Sequence, residues 1–352
     1  MFHVEQKNIN FKVPRGTYFM AKRNYLDIQQ DILNQIDKNS KNKLVDELMD
    51  TLSISSDSAY RRIRLEKTFT LDELIKISNN YNISLDQLIT SNSSESVLFS
   101  FPFKTNSFNL EEYFLKILNH LRKIKDNKGT MYYSAKDIPI FHFFQNKKLL
   151  AFKFHYWLNV MNNDSELISH KFNYDFIPAK LAELTKQIYT VYAQIQTHEI
   201  WNLETLTRTS NQITYYYELG LIDESQAIDL QNTLKDFSLH FEKQCEKSNK
   251  FFMNETPFNT EENYHFYTND IIATDNSIYA EYADIKESFL PHIVLNYMTT
   301  DNEQYSEFNK SIFTNVIQKS TLISSVNEKD RTKFFSYNRK FIDKQLLKIK
   351  VI

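Results

Sequence analysis

The chain has 352 residues, a formal net charge of −2, and 41% hydrophobic and 14% aromatic residues. That length exceeds one typical domain and the apolar content excludes a disordered chain, so about two globular domains are expected. The near-neutral balance excludes a polybasic protein, the single Cys245 excludes an internal disulfide or a Cys-rich zinc site, and three isolated glycines (Gly16, Gly129, Gly220) disfavour Rossmann and P-loop phosphate cradles.

No run approaches the roughly 18 apolar residues of a membrane span, and the N-terminus lacks a signal-peptide pattern. A cytoplasmic location and no membrane partner are therefore expected. Residues 1–24 show no clean periodicity and contain Pro14 and Gly16, which reads as a disordered leader. Met20 precedes the first helical pattern and is a candidate translation start.

Residues 25–92 carry five short amphipathic segments. The first, 28–36, places Ile28, Ile32, Leu33 and Ile36 on one face, and the second, 42–52, turns Leu44, Val45, Leu48, Met49 and Leu52 inward. Ser53-Ile54-Ser55 forms a turn into a third helix, 56–65, with Ser55 as its N-cap. A fourth follows Thr70, which forms a capping box with Glu73. The fifth follows Ser84, with Leu85, Leu88 and Ile89 inward. At 100° per residue, Ala59 and Ile63 of the third helix point one way while Asp57, Tyr60, Arg61 and Arg64 cluster on the other.

The words ELMDTLSIS, SDSAYRRIRLEK and TLDELIKISNNYNISLDQLI resemble the phage-repressor class of helix-turn-helix regulators, Cro- and lambda-repressor-like. SDSAYRRIR with TLDELIKI looks in particular like uncharacterised regulators of AT-rich, Bacteroidetes-type bacteria. The resemblance implies that helix three lies in the major groove of double-stranded DNA, braced by helix two, and that the protein is a homodimer. It assigns Arg61 and Arg64 as base or phosphate readers, Ser56, Tyr60 and Lys67 as phosphate contacts, and Arg62 as a backbone contact, with Asp57 on the same face. Departures from the family are Met49 for a small alanine, Ser53 for the turn glycine, Leu65-Glu66 where a glycine follows helix three, and Leu44-Val45 where a phosphate-contacting glutamine is usual. Residues 25–92 hold eight Lys and Arg against eleven Asp and Glu, a net −3, which opposes nonspecific phosphate binding.

A Ser- and Asn-rich stretch ending near Asn109 reads as a linker, covering 93–109, before a domain spanning 110–352. Helices are expected at 110–125, 141–161, 178–197, 203–219, 224–247, 301–320 and 328–347. Strands are expected at 130–135, 199–202, 264–273, 277–283 and 290–299, with a hairpin at Asp275-Asn276. The fold class is mainly α: a five-helix N-terminal helix-turn-helix domain plus a larger, mostly helical α+β domain with a small antiparallel sheet. MYYSAKDIPIFHFF, LLAFKFHYWL and QKSTLISSVNEKDRTKFF resemble the same group of regulators. Their Lys136, Asp137, Lys153, Lys319, Glu328 and Arg331 either line an effector pocket or make caps and interdomain pairs.

No catalytic constellation is visible. The nine histidines contain no His-Glu-x-x-His pattern, His142 and His155 lie among aromatics, and no nucleophile elbow exists. No enzyme activity, cofactor or metal is assigned. The expected function is a sequence-specific DNA-binding transcriptional regulator whose C-terminal domain dimerises or senses a small-molecule or protein effector. The alternative is a protein-interaction adaptor whose helix-turn-helix no longer binds DNA.

Overall fold

A computed structural model describes residues 24–40, 42–81, 83–85, 88, 97–101, 109–161, 171–258, 261–270, 275–293 and 295–351. The chain divides into two compact units, Met1–Leu98 and Phe99–Ile352. The expected leader, the Met20 start and most of the expected linker lie outside the described residues.

Four described helices build the N-terminal unit: α1 (Tyr25–Asn39), α2 (Leu44–Leu52), α3 (Ser56–Ile63) and α4 (Leu71–Tyr81). Only Leu85 and Leu88 represent the expected fifth helix, and the rest of that segment lies outside the described residues. Each start has a chemical cause. Asn24 caps α1 in a capping box with Asp27, Ser55 caps α3, and Thr70 and Glu73 cap each other's backbone N–H at α4. Ile32, Leu33, Ile36, Leu48, Leu52, Ala59 and Ile77 meet in one core.

Two helix ends need left-handed backbone. α2 stops at Ser53 (φ 54°), where Ile54 N–H donates to Met49 O at 3.3 Å. α3 stops two residues short of its expected end because Leu65 (φ 60°) closes a Schellman motif: Glu66 N–H donates to Arg61 O at 2.8 Å and Leu65 N–H to Arg62 O at 3.0 Å. Serine and leucine adopt there a left-handed conformation that favours glycine.

The C-terminal unit has a seven-stranded mixed sheet ordered β6-β5-β4-β1-β2-β3-β7. Its strands are β1 (Thr130–Ala135), β2 (Gln196–Trp201), β3 (Tyr264–Thr268), β4 (Ser277–Tyr282), β5 (Ile285–Ile293), β6 (Asn296–Thr300) and β7 (Thr321–Leu322). The small antiparallel sheet expected from sequence is corrected: β1, β2 and β3 run parallel at its centre, and β4, β5 and β6 form an antiparallel meander against β1. The hairpin expected at Asp275-Asn276 is also corrected. β3 and β4 do not pair with each other, and the hairpin joins β4 to β5 at Ala283-Asp284, with Ala283 at φ 48°. Asn276 instead bridges strands, its Oδ1 accepting the N–H groups of Lys136 (2.8 Å) and Asp137 (3.0 Å) beyond β1.

Parallel neighbours need long crossovers, and helices supply them. Around the strands lie α5 (Leu110–Asp126), α6 (Ile140–Phe143), α7 (Lys147–Met161), α8 (Ala182–Gln194), α9 (Glu204–Glu218), α10 (Glu224–Lys247), α11 (Glu303–Gln318) and α12 (Glu328–Val351). The expected helix 141–161 is broken between α6 and α7, where Asn146 caps the second piece through Leu149 N–H at 3.0 Å. The expected helix 178–197 begins as a 3-10 turn and ends at Gln194, its last residues joining β2.

Alternation along the strands separates two layers. Met131, Tyr133, Trp201, Tyr264, Phe266 and Ile278 face the main core under the helices. Ile200 and Tyr279 face the other side, where Phe313 of α11 packs on them, and Tyr132, His198 and His265 stack across β1 to β3 with centroids 4.7 and 4.5 Å apart. Ser100 pairs with Thr299 at the β6 edge, so the chain before α5 is tied to the sheet there. No helix among the described residues is long and apolar enough to cross a membrane.

Candidate functional site

Two places unite residues singled out by sequence. The first is the outer side of α3. Ala59 is fully buried and Ile63 packs on the same core, which leaves Ser56, Asp57, Tyr60, Arg61 and Arg64, with Lys67 beyond the helix end, exposed. Arg64 reaches Glu66 at 3.2 Å, an exposed pair that water and salt weaken.

Arg62 requires a correction, because its side chain is buried and unavailable to a phosphate backbone. Its guanidinium donates from Nε and Nη2 to the two carboxylate oxygens of Glu73 (3.1 and 2.5 Å) and from Nη1 to Ser58 O (2.9 Å) and Oγ (2.7 Å). Burial pushes the Glu73 carboxyl up, but the Arg62 bonds and the Thr70 N–H outweigh it and hold the group below the ordinary carboxylate range. A second buried side chain completes the clamp. Gln29 of α1 donates to Arg62 O and Lys67 O, both at 2.9 Å, and accepts Phe69 N–H at 3.1 Å. Arg62, Glu73 and Gln29 therefore fix α3 and the loop after it.

The second place is a cleft of about 300 Å³ in the C-terminal unit, at the carboxyl end of β1. Lys136 and Asp137, directly after β1, form part of its lining. Beneath them the fully buried Lys153 of α7 donates to Asp137 Oδ2 at 2.5 Å and to Gln212 Oε1 at 2.7 Å, and lies 5.0 Å from the Trp157 ring centre. Burial lowers the Lys153 pKa, opposed by the adjacent Asp137 carboxylate. Asp137 Oδ1 also accepts Ile138 N–H (2.9 Å) and the Thr209 hydroxyl (3.1 Å), so this carboxylate is pinned.

Three of six sequence-selected charged residues thus converge. Lys319, Glu328 and Arg331 do not line the cleft: Arg331 is buried elsewhere, donating to Ile323 O at 2.9 Å and Val326 O at 3.2 Å, Glu328 starts α12, and Lys319 follows α11. Residues that sequence reading missed complete the cleft. Arg208 and Gln212 come one turn apart on α9, Tyr156 and Trp157 from α7, and Tyr297 from β6, its hydroxyl 3.2 Å from that of Tyr133. Arg208 Nε donates to Lys136 O at 3.1 Å. The i, i+4 spacing of Arg208 and Gln212 was the available signal, but nothing local marks which face of α9 meets β1.

No family model, curated protein or solved structure matches the chain.

A third cluster lies in the main core. Glu199 of β2 is fully buried, shared by His142 Nε2 at 2.9 and 3.0 Å, the Trp201 indole N–H at 2.8 Å and the hydroxyls of Tyr192 and Tyr264. Burial opposes its ionisation, yet the adjacent His142 and the hydrogen bonds from His142 and Tyr192 keep its pKa below the usual range. Lys250, also buried, donates to Ile195 O, Thr197 Oγ1 and Asn263 O, and burial drops its pKa to about 7. Sequence reading took His142 as a packed aromatic; it is packed against Tyr192, Trp201 and Phe241, and its Nε2 also lies within hydrogen-bond distance of Glu199. Nucleophilic chemistry gains no support from Cys245, whose buried thiol is pushed well above its usual pKa. Among the described residues no three His, Cys, Asp or Glu side chains are grouped to hold a metal.

Proposed function

We propose that this chain is a sequence-specific, double-stranded-DNA-binding transcriptional regulator, with α3 as its reading helix and the C-terminal unit sensing an effector or mediating dimerisation. The observation that carries the reading is the exposure of Tyr60, Arg61 and Arg64 on one side of a short helix whose other side is locked. A reading helix must hold its side chains in register with base edges about 3.4 Å apart, so rigid presentation matters as much as charge. The outward arginines suit bidentate contact with guanine, and Ser56 and Lys67 flank them as phosphate ligands.

The net −3 of residues 25–92 favours a second reading, a helix-turn-helix adaptor that binds protein. Binding of the full chain to genomic fragments over a salt series separates the two. For a regulator, log K falls linearly with log salt, and Arg61→Ala/Arg64→Ala lowers affinity at least about thirtyfold, taking about 1–3 kcal/mol per base contact. Absence of salt-dependent binding at low ionic strength in both forms would overturn the regulator reading and favour the adaptor.

A further inference from the structure

The cleft at the end of β1 sits where the strand order reverses. From β1 the chain proceeds to β2 and β3 on one side, and it later returns to place β4 on the other. On one flank of β1 runs the parallel β2 and on the other the antiparallel β4, whose first residue pairs with Ser134 near the carboxyl end of β1, and a concave cleft at such a place is where a small ligand fits. Here the crevice is bounded by the residues after β1, by Asn276 entering β4, and by α7 and α9.

Its chemistry is asymmetric. Among the described lining residues the one carboxylate, Asp137, is already bonded to Lys153 and accepts Ile138 N–H and the Thr209 hydroxyl. The cations in the lining, Lys136 and Arg208, are matched only by carboxylates outside it. Lys136 meets Asp275 at 2.9 Å and Arg208 meets Glu204 at 3.3 Å, and both acids are more than half exposed. Exposed pairs of this kind exchange readily for a better anion. Arg208 also keeps its orientation without Glu204, because Nε is anchored on Lys136 O. Tyr156 and Trp157 add aromatic surface to the lining, with Ile138, Ile140 and Leu295. The lining also holds the Tyr133–Tyr297 hydroxyl pair, 3.2 Å apart, in which one O–H is donated to the other oxygen.

We infer that this cleft binds a small aromatic carboxylate, its anion on Arg208 and Lys136 and its ring against Trp157 and Tyr156. The volume suits one or two rings and excludes a dinucleotide. Binding is a property of the C-terminal unit alone, so it stands or falls separately from DNA reading by α3.

Calorimetric titration of the full chain, without DNA, tests this with 4-hydroxybenzoate as probe and 4-hydroxybenzamide and glucose as neutral comparisons. For a ligand of about ten non-hydrogen atoms a Kd on the order of 0.1 mM is expected. The amide and Arg208→Gln should each weaken binding about tenfold or more, and glucose should not bind. Arg208 is over a third exposed, so Arg208→Gln should retain the parental melting temperature; Lys136→Gln gives an independent reading if it does not. Failure of 4-hydroxybenzoate to saturate, equal affinity for the amide, tighter binding of glucose, or unchanged affinity in both variants overturns the assignment.

Discussion

Arg62 is the side chain on which the presentation of α3 turns, and its removal can be given a magnitude. Arg62→Ala deletes four hydrogen bonds from a guanidinium that is 2% exposed and strands a Glu73 carboxylate that is 14% exposed. Breaking a buried ion pair from one side costs about 3–5 kcal/mol, and the residual exposure of Glu73 sets the lower figure here. A domain of about 70 residues is typically stable by only about 3–10 kcal/mol, so the loss is a large share of the total. Hydrogen exchange of the full chain reads it directly: amides of α3 and the N-terminal turn of α4 should exchange about a hundredfold faster. Arg62→Met/Glu73→Leu should recover most of that protection in α3, because no charge is left buried, though less in the first turn of α4, where Glu73 also accepts Thr70 N–H; Arg61→Ala/Arg64→Ala should leave protection unchanged. Protection within twofold of the parent in Arg62→Ala, or a double variant worse than the single, would refute the argument that this clamp holds the helix.

Two further outcomes follow from other observations. Ser53→Gly should stabilise the N-terminal unit by about 0.5–1 kcal/mol, since serine sits at φ 54° with its side chain exposed; an unchanged or lower unfolding midpoint counts against strain at that turn. The C-terminal unit should gain stability as pH rises, in two limbs. Burial lowers His198 and His240 to about 4, so the unfolded chain takes up protons first as pH falls below about 6.5, and stability is lost from there toward about 4. Lys250, lowered to about 7, acts in the same direction: above that pH the unfolded chain holds the extra proton and stability rises further. Urea unfolding followed by the fluorescence of Trp157 and Trp201 should show both limbs, and Lys250→Met should flatten the upper one. A flat profile in the parent above pH 7 contradicts a buried, deprotonating Lys250.

The N-terminal unit was legible where its signals were local. Capping residues Ser55 and Thr70, the inward stripe ending at Ala59 and Ile63, and the outward Arg61 and Arg64 all depend on residues within about four positions, the reach of one helical turn. Arg62 was misread because it sits at the border between two helical faces, and which face it joins is decided by Glu73, eleven residues away on α4. Glu73 could be read as a capping residue from its spacing to Thr70; its second role depends on how α4 crosses α3.

In the C-terminal unit, the helices at 110–126 and 224–247 follow from their apolar periodicity and capping chemistry, and the strands at 130–135 and 277–282 from alternation. Strand partners could not be read that way. β1 pairs in parallel with β2, sixty-six residues on, and with β4 still further along, so a turn signal at Asp275-Asn276 was overruled by side-chain burial on β1 that no local window contains. The cleft has the same origin. Lys136, Asp137 and Lys153 were identifiable as charges in an aromatic setting, but Arg208 joins them only through the packing of α9 on the end of β1, and Asn276 and Tyr297 only when the meander returns beside β1. Periodicity, capping and charge therefore placed most of the described helices and the outward face of α3, because those are short-range properties of the backbone. Sheet order, the buried Arg62 and Glu199 pairs, and the cleft were decided by tertiary packing, because each requires burying groups from distant segments against one another.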